Sequence, residues 1–250
     1  MGFPREATGG SPTGPLMLIN TTDLHGSRLA ASDGDIGNIK DFYFDDKTWV
    51  IRYLVADTAS WLTERLVLIS PHAFGKYDAE ARILPVKLTR KQIEDSPPIE
   101  AHKSVSRQYE IDFYRYYGWP TYWDGAAMWG VGDYPVVPAQ AKNEFSKGIR
   151  HHHRDDKHLQ SALSVKGYPI QTTDGILGHV TGFLVDDRSW AIRELAVESG
   201  HWYSGREILI SPEKIVKISF EKSVVIVSLT KEDIERTREN HIARTGVETS

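Results

Sequence analysis

The chain has 250 residues, 40% of them hydrophobic and 26% charged, with a formal net charge of −4 and an isoelectric point near 6.2. That length accommodates two compact domains, and the absence of any apolar run of about eighteen residues excludes a membrane-spanning helix. The acidic balance and the lack of Lys/Arg runs argue against nucleic-acid binding, while the absence of cysteine excludes disulfides, thiolate metal sites and cysteine nucleophiles and fits a cytoplasmic location.

Residues 1–15 are rich in Gly, Pro, Ser and Thr and carry no apolar core, which predicts a disordered tail. From there the chain repeats itself. Shifted by 141 positions, Gly26 to Glu94 aligns with Gly167 to Glu235 without a gap, and identical pairs occur far above chance. The identities include Asp33-Gly34-x-x-Gly37 with Asp174-Gly175-x-x-Gly178, Asp45-Asp46-x-x-Trp49-x-Ile51-Arg52 with Asp186-Asp187-x-x-Trp190-x-Ile192-Arg193, and Leu68-Ile69-Ser70-Pro71 with Leu209-Ile210-Ser211-Pro212. A period this long is not a solenoid unit, so each copy is expected to be a domain with its own core. The predicted organisation is a domain over 16–95, a linker over 96–156, a second domain over 157–237 and a C-terminal tail over 238–250.

In each copy the Asp-Gly pair, at 33–34 and 174–175, favours a tight hairpin, because Gly accepts positive φ and Asp bonds nearby backbone. Asp45-Asp46 and Asp186-Asp187 join two β-prone runs and read as hairpin tips ahead of catalytic carboxylates. Thr89 and Thr230 precede Ile-containing, acidic segments and are expected to N-cap short helices. Between the copies, Tyr109 to Tyr134 holds ten aromatics in 26 residues; Gly118, Pro120, Gly125, Gly130 and Gly132 restrict any regular helix to roughly Ser106 to Tyr117. In the second copy, strands are predicted near Tyr168 to Thr172, Leu177 to Val185, Trp190 to Val197, Glu207 to Ile210, Ile215 to Phe220 and Val224 to Leu229. The fold class that results is all-β with short helices: two tandem small β-barrels, closed or nearly so, in a pseudo-twofold arrangement.

The repeated motifs resemble the PRC-barrel family, known from the cytoplasmic domain of the photosynthetic reaction-centre H subunit and from a ribosome-maturation factor. The linker stretch Ser106-Arg107-Gln108-Tyr109-Glu110, with Tyr114-x-Tyr116-Tyr117-Gly118-Trp119-Pro120, is similar to the stand-alone bacterial tandem form. The resemblance implies the barrel fold and a role in contacting larger assemblies, either a photosynthetic complex or, as the alternative, the ribosome and its RNA.

Arg52 and Arg193 each recur in an apolar row and need a carboxylate or carbonyl partner if buried. Asp45, Asp46, Asp186 and Asp187 are candidates to pair with them, and the competing reading is an anion site at the arginines or, at the seam between the barrels, a small-ligand or enzymatic site lined by both arginines and the aromatics. The paired tryptophans, Trp49 with Trp190 and Trp61 with Trp202, are expected to pack. Tyr114, Tyr117, Trp119, Tyr122, Trp123 and Trp129 either dock onto their own barrels or recruit a protein partner. His151, His153 and His158, beside Asp155 and Asp156, have metal-ligand composition, although adjacent residues do not all converge on one ion. No phosphate loop, dinucleotide fingerprint, nucleophile elbow or zinc-protease motif occurs. The expectation is therefore a non-catalytic interaction or scaffold protein without cofactor, bound to a protein partner or larger assembly and compatible with homodimerisation.

Overall fold

The computed structural model describes residues 16–58, 62, 65–97, 99–100, 105–130, 132–137, 159–199, 207–234 and 236. The predicted tails, the histidine cluster with Asp155 and Asp156, and Trp61 and Trp202 lie outside the described residues.

The first repeat contributes β2 (Arg28–Ala31), β3 (Gly34–Asp45), β4 (Val50–Asp57), β5 (Arg65–Ile69) and β6 (Ile83–Pro85), followed by α2 (Arg90–Glu94) and β7 (Ile99–Glu100). The second contributes β9 (Pro169–Thr172), β10 (Gly175–Asp186), β11 (Ile192–Ser199), β12 (Glu207–Ile210), β13 (Ile215–Ser219) and β14 (Val224–Val227). All six strands predicted in the second copy are present, and the fold is all-β with short helices. Each repeat sits in a seven-stranded sheet, ordered β6-β2-β3-β4-β5-β7 and β12-β11-β10-β9-β14-β13, with one further strand on each long central hairpin. Pairing is antiparallel except where β6 meets β2 and β14 meets β9, equivalent contacts in the two copies.

The seventh strand of each sheet comes from the other half of the chain. β1 (Leu18–Asn20) pairs with β10, placing Leu18 opposite Asp186, while β8 (Leu159–Ser161) pairs with β3, placing Leu159 opposite Asp45. The two registers are related by the 141-residue shift, so the exchange is reciprocal. Each swapped strand runs into a short helix, α1 (Thr21–Leu24) or α4 (Ala162–Val165), capped by Asn20 or Ser161. These three-residue strands have no periodic pattern long enough to read from sequence.

The repeated glycines answer to backbone crowding. A Cβ on Gly37 would lie 1.8 Å from the Asp57 carbonyl oxygen, and one on Gly178 would lie 1.9 Å from that of Glu198, so each central hairpin closes only around glycine. The turns before them are tied to the helices that end each repeat: Asp33 accepts from the Arg90 amide at 2.8 Å and Asp174 from the Lys231 amide at 3.0 Å. Thr89 caps α2 through a reciprocal box with Gln92, and Thr230 does the same with Asp233 at the helical turn beginning at Lys231.

The hairpin tips meet across the seam. Trp49 and Trp190 both adopt left-handed backbone, φ 56° and 58°; the Trp190 carbonyl accepts from the Ile51 amide at 2.9 Å and the Trp49 carbonyl from Ile192 at 2.7 Å. Positive φ costs of the order of 1 kcal/mol at a non-glycine residue, and two inter-repeat hydrogen bonds plus ring burial offset it. Trp190 packs on Phe42 and Phe74 of the other repeat, and Phe44 meets Phe183 with ring centroids 5.2 Å apart. Buried side chains from both sheets and from the linker form one continuous core.

Candidate functional site

The linker folds back on the first repeat. α3 (Arg107–Tyr117), with Ser106 as N-cap and Gly118 in the left-handed conformation as C-cap, coincides with the helix expected from sequence, and the chain then runs as a strap to Trp129. Glycine supplies the left-handed cap without a Cβ clash. Phe113, Tyr114, Tyr122 and Trp129 are at most 5% exposed. Rings crowd edge to face around them, including Tyr53 on Phe113 at 5.3 Å and Tyr114 on Trp123 at 5.4 Å. Of the six aromatics that either dock in cis or recruit a partner, Tyr114, Tyr122 and Trp129 are buried within their own protein. Tyr117 stacks on Trp119 at 4.4 Å; these two and Trp123 stay half-buried.

Under the strap lies a charged network. Glu110, fully buried, accepts from the hydroxyls of Tyr53 at 3.0 Å and Tyr122 at 2.7 Å through Oε1, and its Oε2 sits 2.9 Å from Arg107 Nη1. Arg107 also donates to the Tyr122 hydroxyl at 3.1 Å and lies over the Trp123 ring, 4.3 Å from its centroid. Burial and the neighbouring Glu110 carboxylate push the Tyr53 and Tyr122 hydroxyls well above the ordinary tyrosine range, so both remain donors. Burial works against the Arg107 charge, yet Tyr122 and Glu110 leave it more firmly protonated than usual. Two hydroxyl donors on one oxygen and a guanidinium ion pair on the other compensate the buried carboxylate.

Arg52 is 1% exposed and fills the next position in this cluster. It donates to the Met128 carbonyl at 2.9 Å and the Thr48 hydroxyl at 3.0 Å, stands 3.9 Å from Asp45 Oδ2, and rests over the rings of Tyr122 (3.9 Å) and Trp129 (4.8 Å). Burial lowers its affinity for the proton, and Tyr122, Tyr114 and Asp45 oppose that shift. His72 completes the cluster. It stacks on Trp119 and meets Trp129 edge-on at 5.0 Å, and its Nδ1 pairs with Ser70 Oγ at 3.0 Å. Burial, with Arg52 nearby, drops its pKa to about 3, so it is neutral at physiological pH.

Arg193, the repeat partner of Arg52, is bound to Asp186 at 2.7 Å with its side chain 45% exposed. Burial raises the Asp186 carboxyl, but Arg193 and the amides of Arg188 and Ser189 outweigh it and hold the group below the usual range. Asp45 likewise receives the amides of Lys47 and Thr48, so both first aspartates are turn-closing groups. Asp46 accepts from Gln160 and Asp187 from the Met17 amide, each clasping the exchanged segment. Neither second aspartate bonds the arginine of its own copy.

Two cavities open at the seam, and neither is lined by Arg52, Arg193 or the strap aromatics. Arg52 is enclosed by the strap and Arg193 is held by Asp186. No group of three His, Asp or Glu able to hold a metal ion occurs among the described residues. Sequence reasoning passed over Tyr53 and His72 and named Ser70 and Glu110 only within motifs; the legible signal for Glu110 was Arg107-x-x-Glu110 at helical spacing, which puts both side chains on one face. No match to the chain is found among curated proteins. Residues 19–93, the span from β1 into α2 that carries Arg52 and the first hairpin tip, match the PRC-barrel domain family, and the chain therefore contains a PRC-barrel domain there.

Proposed function

We propose that this chain is a non-catalytic, cytoplasmic interaction protein in which a PRC-barrel domain and a second, similar repeat form one platform for a protein partner or larger assembly. The observation that carries the reading is where the charged chemistry goes. Arg52, Arg107, Glu110, Tyr53 and Tyr122 are directed at one another and at the strap, fixing the linker to the barrel instead of facing a substrate. The exchanged strands bind the second repeat into the same body.

Within this reading the partner contacts Tyr117, Trp119 and Trp123, whose rings keep part of their surface in solvent. The test is affinity capture from the native cell with the intact protein and with a Tyr117→Ala/Trp123→Ala variant of unchanged secondary structure. A partner retained by the first and lost by the second supports the assignment. Equal capture would move the interface elsewhere, and no stoichiometric partner under either condition would remove the scaffold reading.

A further inference from the structure

Of the two seam cavities, only one lies about the pseudo-twofold relation between the repeats. The smaller is walled by positions that are repeat equivalents of one another: Thr21 with Ala162, Thr22 with Leu163, His25 with Lys166, Lys40 with Thr181, Asp41 with Gly182 and Phe42 with Phe183. Only the phenylalanines are identical. A seam maintained purely by packing asks for similar residues on both sides of the axis, whereas here the polar positions have diverged into a cationic and hydroxyl-bearing set.

The larger cavity, a cleft of about 560 Å³, shares Thr22, Lys166 and Thr181 with the smaller one and continues outward to His179, Glu198 and Glu207. Three features polarise this space. Lys40 and Lys166 have no ion-pair partner among the described residues. Thr181 Oγ1 is buried without a hydrogen-bond partner, and its residue lies on the wall of both cavities. Asp41, the carboxylate of the inner cavity, is already occupied by the Ser161 hydroxyl at 2.5 Å and the Leu163 amide at 2.9 Å, so it is turned to the exchanged helix. At the outer end, His179 Nε2 faces Glu198 at 3.4 Å.

We propose that the inner end of this cleft binds the oxyanion group, carboxylate or phosphate, of a small molecule, held by Lys40, Lys166 and the hydroxyl of Thr181, the Thr22 hydroxyl being already given to Asn20 Oδ1. Two ammonium groups supply charge-assisted hydrogen bonds, and a buried unsatisfied hydroxyl gains the partner that it lacks. Glu198 and Glu207 at the outer end disfavour a second negative charge there, which restricts the ligand to one anionic terminus. The site is independent of the partner surface proposed above.

Amide chemical shifts of the full-length protein, titrated with inorganic phosphate and separately with acetate at constant ionic strength, test the proposal. The expected result is saturable movement of Lys40, Lys166 and Thr181 with at least one probe, the probe that saturates distinguishing phosphate from carboxylate. Lys40→Gln and Lys166→Gln, both exposed and outside the core, should each raise the apparent Kd by about fivefold or more, and Thr181→Val should raise it as well. Arg193→Gln, on the other side of the second repeat's ion pair, should leave it unchanged. Shifts that rise linearly without saturation, or a Kd indifferent to both lysines, would show an adventitious ion only and overturn the assignment.

Discussion

Arg52 and Arg193 occupy the same place in two copies of one motif, yet the first is sealed beneath rings and the second is half in solvent. Their own sequence neighbourhoods are nearly alike; the difference is the strap. In the first repeat, Tyr122 and Trp129 close over the guanidinium, strip it of water and compensate with a carbonyl, a hydroxyl and two π faces. In the second, Asp186 does the work through one short ion pair. Desolvation and recompensation are both large for a buried charge and both small for a wet one, so the same residue is a keystone in one copy and a minor contributor in the other.

The comparison breaks most completely if the halves are separated. Residues 16–137 would lose β8 and α4, leaving β3 without its outer partner and Asp41 without Ser161 and the Leu163 amide. The expected outcome is loss of cooperative thermal unfolding for this fragment, measured by near-ultraviolet circular dichroism, with recovery when residues 157–237 are supplied in trans. A fragment that unfolds cooperatively alone would show the exchange to be dispensable.

Removing one charge from the network is the next largest effect. Glu110→Ala leaves Arg107 and two tyrosine hydroxyls buried without their acceptor, and Arg52→Ala leaves a cavity between Tyr122 and Trp129; each is expected to cost about 3 kcal/mol in denaturant unfolding. Because Glu110 and Arg52 share Tyr122, the two losses should not add. Additivity within a few tenths of a kcal/mol would mean the two residues act separately.

Much of this was readable in advance because its causes are local. The Asp-Gly turns, the Asp-Asp tips, the helix from Ser106 and the capping threonines each follow from a residue's own backbone preference, and duplication doubled every one of these signals except the linker helix. What could not be read depends on residues brought together from afar. The exchange rests on three-residue strands, the Glu110 network spans positions 52 to 122, and burial of Tyr114, Tyr122 and Trp129 followed from the strap folding inward, which composition left evenly open with outward presentation. The seam cavities are lined by residues of ordinary type, none of which stood out in the linear chain.

His72 gives the comparison a pH axis, since the second repeat has Glu213 in its place. Its folded pKa of about 3 lies below the unfolded value of about 6.5, so below that value the unfolded chain binds a proton that the native state refuses. Stability from this residue is complete above pH 6.5 and declines as pH falls toward 3, by about 3 kcal/mol between pH 7 and 4. His72→Phe should flatten that part of the stability profile. Asp186 adds a later loss, since its lowered pKa contributes stability that is present above the unfolded carboxylate value and disappears as pH falls through the folded one. A profile that keeps its slope between pH 6.5 and 4 in His72→Phe would assign the acid sensitivity to other groups.

The smallest effect expected is the most informative about duplication. Arg193→Ala removes an ion pair whose cation is 45% exposed, and after solvent screening such pairs contribute roughly 0.2–1 kcal/mol. Asp186 keeps the amides of Arg188 and Ser189 as partners, so its carboxylate is not stranded when the guanidinium goes. Raising the salt concentration should erase most of the difference between this variant and the parent, while leaving the Arg52→Ala deficit almost intact, because the strap excludes the ions that screen. Equal deficits at Arg52 and Arg193 would mean that the strap adds nothing to the arginine it covers, and the asymmetry between the two repeats would then have to lie elsewhere than in what covers each charge.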